Sequence, residues 1–191
     1  MEQLILASCS PRRSELLSAS GIPFVAVSPD VDESCCLPAE QAVSVLSARK
    51  ARSAGLQYPG RFILAADTLV ALDGVTLGKP AGAEDAERML RMLSGKTHQV
   101  YTGVSVLSPS GRLLTESDRS DVTFCKLTEE EIRSYVLSGE PLDKAGAYAI
   151  QGRASLWITR LEGNYSSVIG LSLYLVRKLL LESGYRPDTS R

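Results

Sequence analysis

This sequence of 191 residues has one histidine, one tryptophan, three phenylalanines and four cysteines, and carries no long hydrophobic run. The single histidine, His98, argues against a Cys/His zinc site. So does the cysteine spacing, because Cys9, Cys35, Cys36 and Cys125 contain no C-x-x-C pair. That pattern suggests reduced thiols and a cytoplasmic setting. No segment approaches the roughly 18 apolar residues of a membrane span. The start, MEQLILASCS, is acidic and then strand-like, unlike the basic opening and long apolar core of a signal peptide. Charge of one sign is also lacking: the net charge is −1 and no dense Lys/Arg tract occurs. Broad nucleic-acid binding needs a basic footprint, so neither nucleic acid nor a membrane is an expected partner. A small anionic ligand held by a few local cations remains compatible.

What is present is a globular composition, 44% hydrophobic and 23% charged. It suits one domain over residues 1–191. Leu4 to Ala7 reads as a buried strand. Ser10-Pro11 then opens a helix with serine as N-cap and proline in the first turn, closed by Gly21. A strand follows near Phe24 to Val27, and a helix runs from Pro38 to about Gly55. Phe62 to Leu72 reads as a long strand ending in an Asp73-Gly74 hairpin turn. Ala86, Met89, Leu90 and Leu93 have helical spacing; His98, Val100, Thr102, Val104 and Val106 alternate as in a strand. After a turn at Pro109 to Gly111, a strand returns through Val122 to Leu127. Thr128 and Glu131 form a capping box for a helix ending near Gly139. A strand around Trp157, a Gly163-Asn164 turn and a helix from Ser172 to Ser183 complete the chain. Strands alternating with helices, together with two hairpin connections, indicate an α/β fold with a mixed sheet.

Four features could carry chemistry. The turn Ser8-Cys9-Ser10-Pro11-Arg12-Arg13 joins a strand to a helix start, where free N–H groups, hydroxyls and two guanidinium groups suit a phosphate; an ordinary N-cap with solvated arginines is the alternative. Asp67 interrupts an apolar run, Phe-Ile-Leu-Ala-Ala-Asp-Thr-Leu-Val, and an unpaired buried carboxylate is costly. At a strand end it could face a cleft, bind a divalent cation or take a proton from water; it could also merely end its strand. Lys50 shares a helical face with Val43 and Leu46, so it either snorkels or meets an anion, and Lys79 in Gly78-Lys79-Pro80 could reach the same cleft. The loop Glu140 to Gly152 suits a binding loop or a plain connector. Its Gln151 both donates and accepts, as base recognition requires.

Other signals fail. Ser94-Gly95-Lys96-Thr97 mimics the tail of a P-loop, but position 90 is leucine, and helix precedes strand in the reverse of the required order. Cys9 lacks the longer cradle of a cysteine phosphatase, and nothing visible would activate its thiol. His98 falls on an apolar strand face and reads as structural.

The segments LILASCSPRR, VDES, ARKA, AADTLV, LGKP, SGKTHQVYTG, EPLDKAGAYAIQG and NYSSVIGL, in this order, resemble the Maf family of nucleotide pyrophosphatases from end to end. The resemblance implies an elongated α/β structure with two lobes around a central cleft, often dimeric. It implies hydrolysis of nucleoside triphosphates to monophosphate and pyrophosphate with a divalent metal, Mg²⁺ or Mn²⁺. The catalytic aspartate would be Asp67. Arg12, Thr68 and Gln151 fall at positions that separate the family's branches, and they look like the dTTP/UTP branch; the 7-methyl-GTP branch tends to have an aromatic, Gln and Glu there. Asp67 and Glu33 are then the metal candidates, with Ser8, Arg13, Lys50 and Lys79 around the phosphates. Cys9 stands for a commoner Gly or Thr, Ala149 for a usual Gly, and Ser172 where Pro is frequent. The alternatives are a 7-methyl-GTP pyrophosphatase and a non-catalytic nucleotide-binding regulator of cell division.

Overall fold

The computed structural model describes residues 3–186. Strand β1 (Leu4–Ala7) leads into helix α1 (Pro11–Ala19), then β2 (Phe24–Val27), α2 (Ala39–Gln57) and β3 (Ile63–Leu72). Strand β4 (Val75–Leu77) and helix α3 (Ala83–Leu93) follow, then the long hairpin of β5 (Thr97–Leu107) and β6 (Leu113–Phe124). Helix α4 (Glu129–Leu137) precedes three short 3₁₀ turns, Glu140–Asp143, Ala145–Ala147 and Arg153–Trp157. Strand β7 (Ile158–Glu162) and helices α5 (Tyr165–Ile169) and α6 (Leu173–Glu182) close the described chain.

The seven strands form one sheet in the order β2-β1-β3-β5-β6-β7, with β4 paired to β3. β1 runs parallel to both neighbours, and every other pairing is antiparallel. The sheet is therefore mixed, as the alternation of helices and hairpins implied. All four residues of β1 are buried, as expected of a strand covered on both faces. The β3–β4 connection is a two-residue turn in which Asp73 and Gly74 take φ of 51° and 80°, the positive values that match the twist of a hairpin.

Helices cover the sheet on both sides. On one face α2 packs Ala51 and Ala54 against Ile5, Ala7, Ile63 and Ala65. Its buried stripe of mostly small residues lets it lie close to the strands. On the other face two cores sit side by side. Leu175, Val176 and Leu179 of α6 meet Leu4, Leu64 and Val104, whereas Ala86, Leu90, Ile132 and Tyr135 of α3 and α4 meet Val70, Val100 and Phe124. Thr68 and Thr102 fall between these two cores.

Local readings shift in four places. Trp157 ends a 3₁₀ turn, and strand pairing starts at Ile158, with the Trp157 carbonyl accepting the Cys125 N–H beside the Phe124–Ile158 pair. The strand read to Leu127 stops at Phe124, just past a register shift at Thr123/Phe124. The Gly163-Asn164 turn leads directly into α5, where the Asn164 side chain accepts from the N–H groups of Ser166 and Ser167. Ser10 occupies the N-cap of α1 but makes no side-chain cap bond; Ser8 Oγ accepts the Ser10 N–H instead, at 3.1 Å. No helix among the described residues is long and apolar enough to cross a membrane.

Candidate functional site

β1 ends at Ala7, opposite Ala65, and β4 first pairs with β3 at Val70. Between those points one edge of β3, Ala66 to Leu69, has no strand beside it. The chain turns from β1 into α1 and then into β2 on one side, whereas β3 lies on the other. The gap is thus at the carboxyl end of β1, where strand order switches direction, a place where open α/β sheets bind ligands. Asp67 is accordingly in the middle of β3 and not at a strand end; it faces a cleft because its neighbour stops, not because its own strand does.

A cleft of about 520 Å³ opens there, within the range of small-molecule sites. Ser8, Arg12, Arg13, Glu33, Lys50, Asp67, Thr68, Lys79 and Gln151 all line it. Residues far apart in sequence are thereby gathered from α1, α2, β3, the β4–α3 connection and the 140–152 loop.

Asp67 points toward α2. Lys50 reaches it from the buried stripe, with Nζ 2.5 Å from Asp67 Oδ1 and 2.7 Å from Glu33 Oε1. Both Lys50 and Asp67 are nearly buried. Lys50 therefore meets anions and does not snorkel. Its hydrogen bond is the chief reason the Glu33 carboxyl lies below the usual carboxylate range, against the opposing effect of partial burial. Glu33 sits on an exposed loop that α2 fastens: Ser53 Oγ donates to the Asp30 carbonyl, and Arg49 to the carbonyls of Asp32 and Ser34. Asp67 Oδ2 has no protein hydrogen bond among the described residues.

The next residue, Thr68, projects from the opposite face of β3. Its Oγ1 lies 2.9 Å from Thr102 Oγ1. Arg13 crosses toward it from α1, donating through Nε to the Gly170 carbonyl at 2.7 Å and through Nη1 to Ser8 Oγ at 3.3 Å. Burial lowers the Arg13 guanidinium, and the charge of Asp67 partly restores it. Because Ser10 provides no cap, the first-turn N–H groups of α1 beside Arg12 and Arg13 stay free for an anion.

The 140–152 loop is tied in from behind. Tyr135 donates its hydroxyl to Glu140 Oε1 and accepts the Ala149 N–H, and the Gly146 N–H bonds to the carbonyl of Gly78, next to Lys79. Gln151 is exposed at the rim. Asp143, Lys144, Tyr148 and Gly170 also line the cleft. Pattern reasoning did not single them out, although all four lie in the quoted segments EPLDKAGAYAIQG and NYSSVIGL. His98 is fully buried, with Nε2 2.8 Å from the Tyr148 hydroxyl, and burial pushes it down to about 4. All four cysteines are free, and exposed Cys9 donates its thiol to Ser28 Oγ. Among the described residues no group of three or more His, Cys, Asp or Glu side chains could hold a metal ion unaided.

Fold and site together define a class: an α/β protein with a mixed sheet and a charged cleft, at a strand's carboxyl end, that suits a small anionic ligand. The sequence matches the family described as Maf-like protein over residues 3–183. It is 49% identical over 188 residues to a protein of Symbiobacterium thermophilum named dTTP/UTP pyrophosphatase, covering 97% of this chain and 96% of that one. A protein of Moorella thermoacetica with the same name is 48% identical over 183 residues, 94% of each chain. Among solved structures, a HAM1 protein from Coxiella burnetii superposes with a TM-score of 0.53 over 95% of this chain and 100% of that one; at 15% identity this shows a shared fold alone. This chain belongs to the Maf family.

Proposed function

We propose that this chain hydrolyses nucleoside triphosphates, dTTP and UTP above all, to the monophosphate and pyrophosphate. The observation that carries the reading is the convergence of Asp67, Glu33 and Lys50 with Arg12, Arg13 and the start of α1 on one cleft. The names borne by relatives nearly half identical over almost the whole chain support it.

In this reading Asp67 takes the proton of a water that attacks the α-phosphorus in line. The new P–O bond forms as the bond to the bridging oxygen breaks, and that electron pair leaves with pyrophosphate. Lys50 fixes Oδ1 and leaves Oδ2 to face the water. Arg13, Lys79 and the α1 N–H groups stabilise the charge that develops on the leaving group, the main protein contribution in phosphoryl transfer. No protein nucleophile is needed, so Cys9 need not react.

The donor set fits a hard divalent cation. Asp67 and Glu33, both of which ion-pair with Lys50 Nζ, are the carboxylates that would hold it, and the remaining ligands would come from phosphate and water, as Mg²⁺ prefers. When bound, Mg²⁺ or Mn²⁺ neutralises charge on the triphosphate. For the base, Gln151 offers an amide that matches the carbonyl and N3–H of uracil or thymine, and Arg12 offers a flat cation for stacking or hydrogen bonding. Gln151→Glu removes the amide donors, so UTP and dTTP should fall in the substrate ranking relative to other nucleotides.

The decisive assay measures pyrophosphate release from UTP and dTTP with Mg²⁺ or Mn²⁺, and again after chelation. Metal-dependent pyrophosphate is the expected product. Release of orthophosphate alone, or binding without any turnover, would overturn the reading.

A further inference from the structure

Thr68 and Thr102 are directly opposed across β3 and β5. Each hydroxyl carries a single proton. Thr102 is fully buried and does not line the cleft. Its Oγ1 lies 2.8 Å from the Ser167 carbonyl, which also receives the Gly170 N–H at 2.9 Å. A carbonyl oxygen only accepts, so the Thr102 proton is committed to it. Thr102 Oγ1 can then serve Thr68, 2.9 Å away, only as an acceptor. The Thr68 proton is drawn there, because its other acceptor, the Gly170 carbonyl, is more distant at 3.4 Å. Thr68 is left with lone pairs toward the cleft, where Arg13 Nη2 already approaches at 3.5 Å.

We propose that Thr102 is a positioning residue that sets the hydrogen-bonding sense of Thr68, so that Thr68 accepts from an N–H or O–H donor on the bound nucleotide. The inference rests on the nucleotide reading above. A phosphate oxygen is an acceptor and gains nothing from this group. The ring N3–H of a pyrimidine and the ribose hydroxyls are donors and do gain. The relay passes from α5 through β5 to β3, so the Ser167 carbonyl controls what a cleft hydroxyl can read.

The test is binding of the non-hydrolysable α,β-methylene analogue of UTP, measured by calorimetry on the whole protein. Thr102→Val should weaken binding roughly three- to tenfold, the scale of one hydrogen bond. Thr102→Ser, which keeps the hydroxyl, should restore it, with thermal melts confirming that both variants fold. The double variant Thr68→Val/Thr102→Val should bind no worse than Thr68→Val alone, since Thr102 acts only through Thr68. In turnover of UTP the effect should fall on KM, not on kcat. Repeating the comparison with 2′-deoxy, 3′-deoxy and N3-methyl analogues identifies the donor as the one whose loss abolishes sensitivity to Thr102. Wild-type affinity in Thr102→Val, equal impairment in Thr102→Ser, additive losses in the double variant, or undiminished sensitivity with all three analogues would each overturn the proposal. A wild-type protein that binds the analogue yet releases no pyrophosphate would sink the hydrolase reading and leave this one standing.

Discussion

Asp67 is held through one carboxylate oxygen by Lys50 and left open at the other. Asn in its place keeps the shape and one hydrogen-bonding oxygen but removes the proton acceptor. Asp67→Asn should therefore fold and bind nucleotide while losing turnover by at least about a hundredfold, the lower range for a general base. Steady-state kinetics with a separate binding measurement checks this. His98 gives the second prediction at this scale. Burial takes it down to about 4, whereas a histidine in the unfolded chain titrates near 6.5. Between those values the unfolded chain binds a proton that the folded chain refuses. Stability should thus fall as pH drops from about 6.5 toward about 4, by about 3 kcal/mol across that window, and recover as pH rises. Denaturant melts across this pH range measure it. His98 is the sole histidine, so its ring signal in NMR is unambiguous and should stay in the neutral form throughout pH 5.5 to 7.5, about one unit and more above its titration.

Among the elements, α2 decides the site's geometry, since it carries Lys50 and fastens the loop that bears Glu33. How close it lies to the sheet is set at Gly103, directly opposite Asp67 in the β3–β5 ladder. A Cβ at Gly103 would fall 2.3 Å from the Val43 carbonyl oxygen, so backbone, not a flexible side chain, stands in its way. Gly103→Ala should push α2 outward and cost about 1–3 kcal/mol, the usual scale of overpacking. Because Lys50 moves with the helix, activity should drop as well, even where the variant is fully folded. A melt combined with kinetics below the transition tests both parts.

For the whole molecule, the net charge of −1 conceals an uneven distribution. Arg12, Arg13 and Lys79 line one cleft in which the other charges are paired, Lys50 with Asp67 and Glu33 and Lys144 with Asp143. A triphosphate would be drawn to that local field and not to the protein's overall charge, and exposed charges are screened by salt. KM for UTP should rise severalfold between about 0.05 and 0.5 M KCl, with kcat little changed, because the buried Lys50–Asp67 pair is shielded from mobile ions. Initial rates across a salt series provide the measurement.

Local rules written in short stretches of sequence determined much of this protein. The apolar run of β1, the Asp73-Gly74 turn, the Thr128/Glu131 capping box and the helical stripe from Ala86 to Leu93 are all formed where their patterns place them. A charge inside an apolar strand and a lysine on an apolar helical stripe were legible as anomalies, because burying either alone is costly. Only the tertiary structure joined them, since residues 50 and 67 meet through a helix packing on a strand and no local pattern encodes that contact. It also left Ser10 at the N-cap without a cap bond, its own N–H taken by Ser8, set Asp67 in mid-strand beside a gap left by the shorter β1, and revealed the five-residue α5 behind Arg13 and Thr102. Periodicity cannot detect so short a helix, and its hold on the site comes from carbonyl groups that every residue carries.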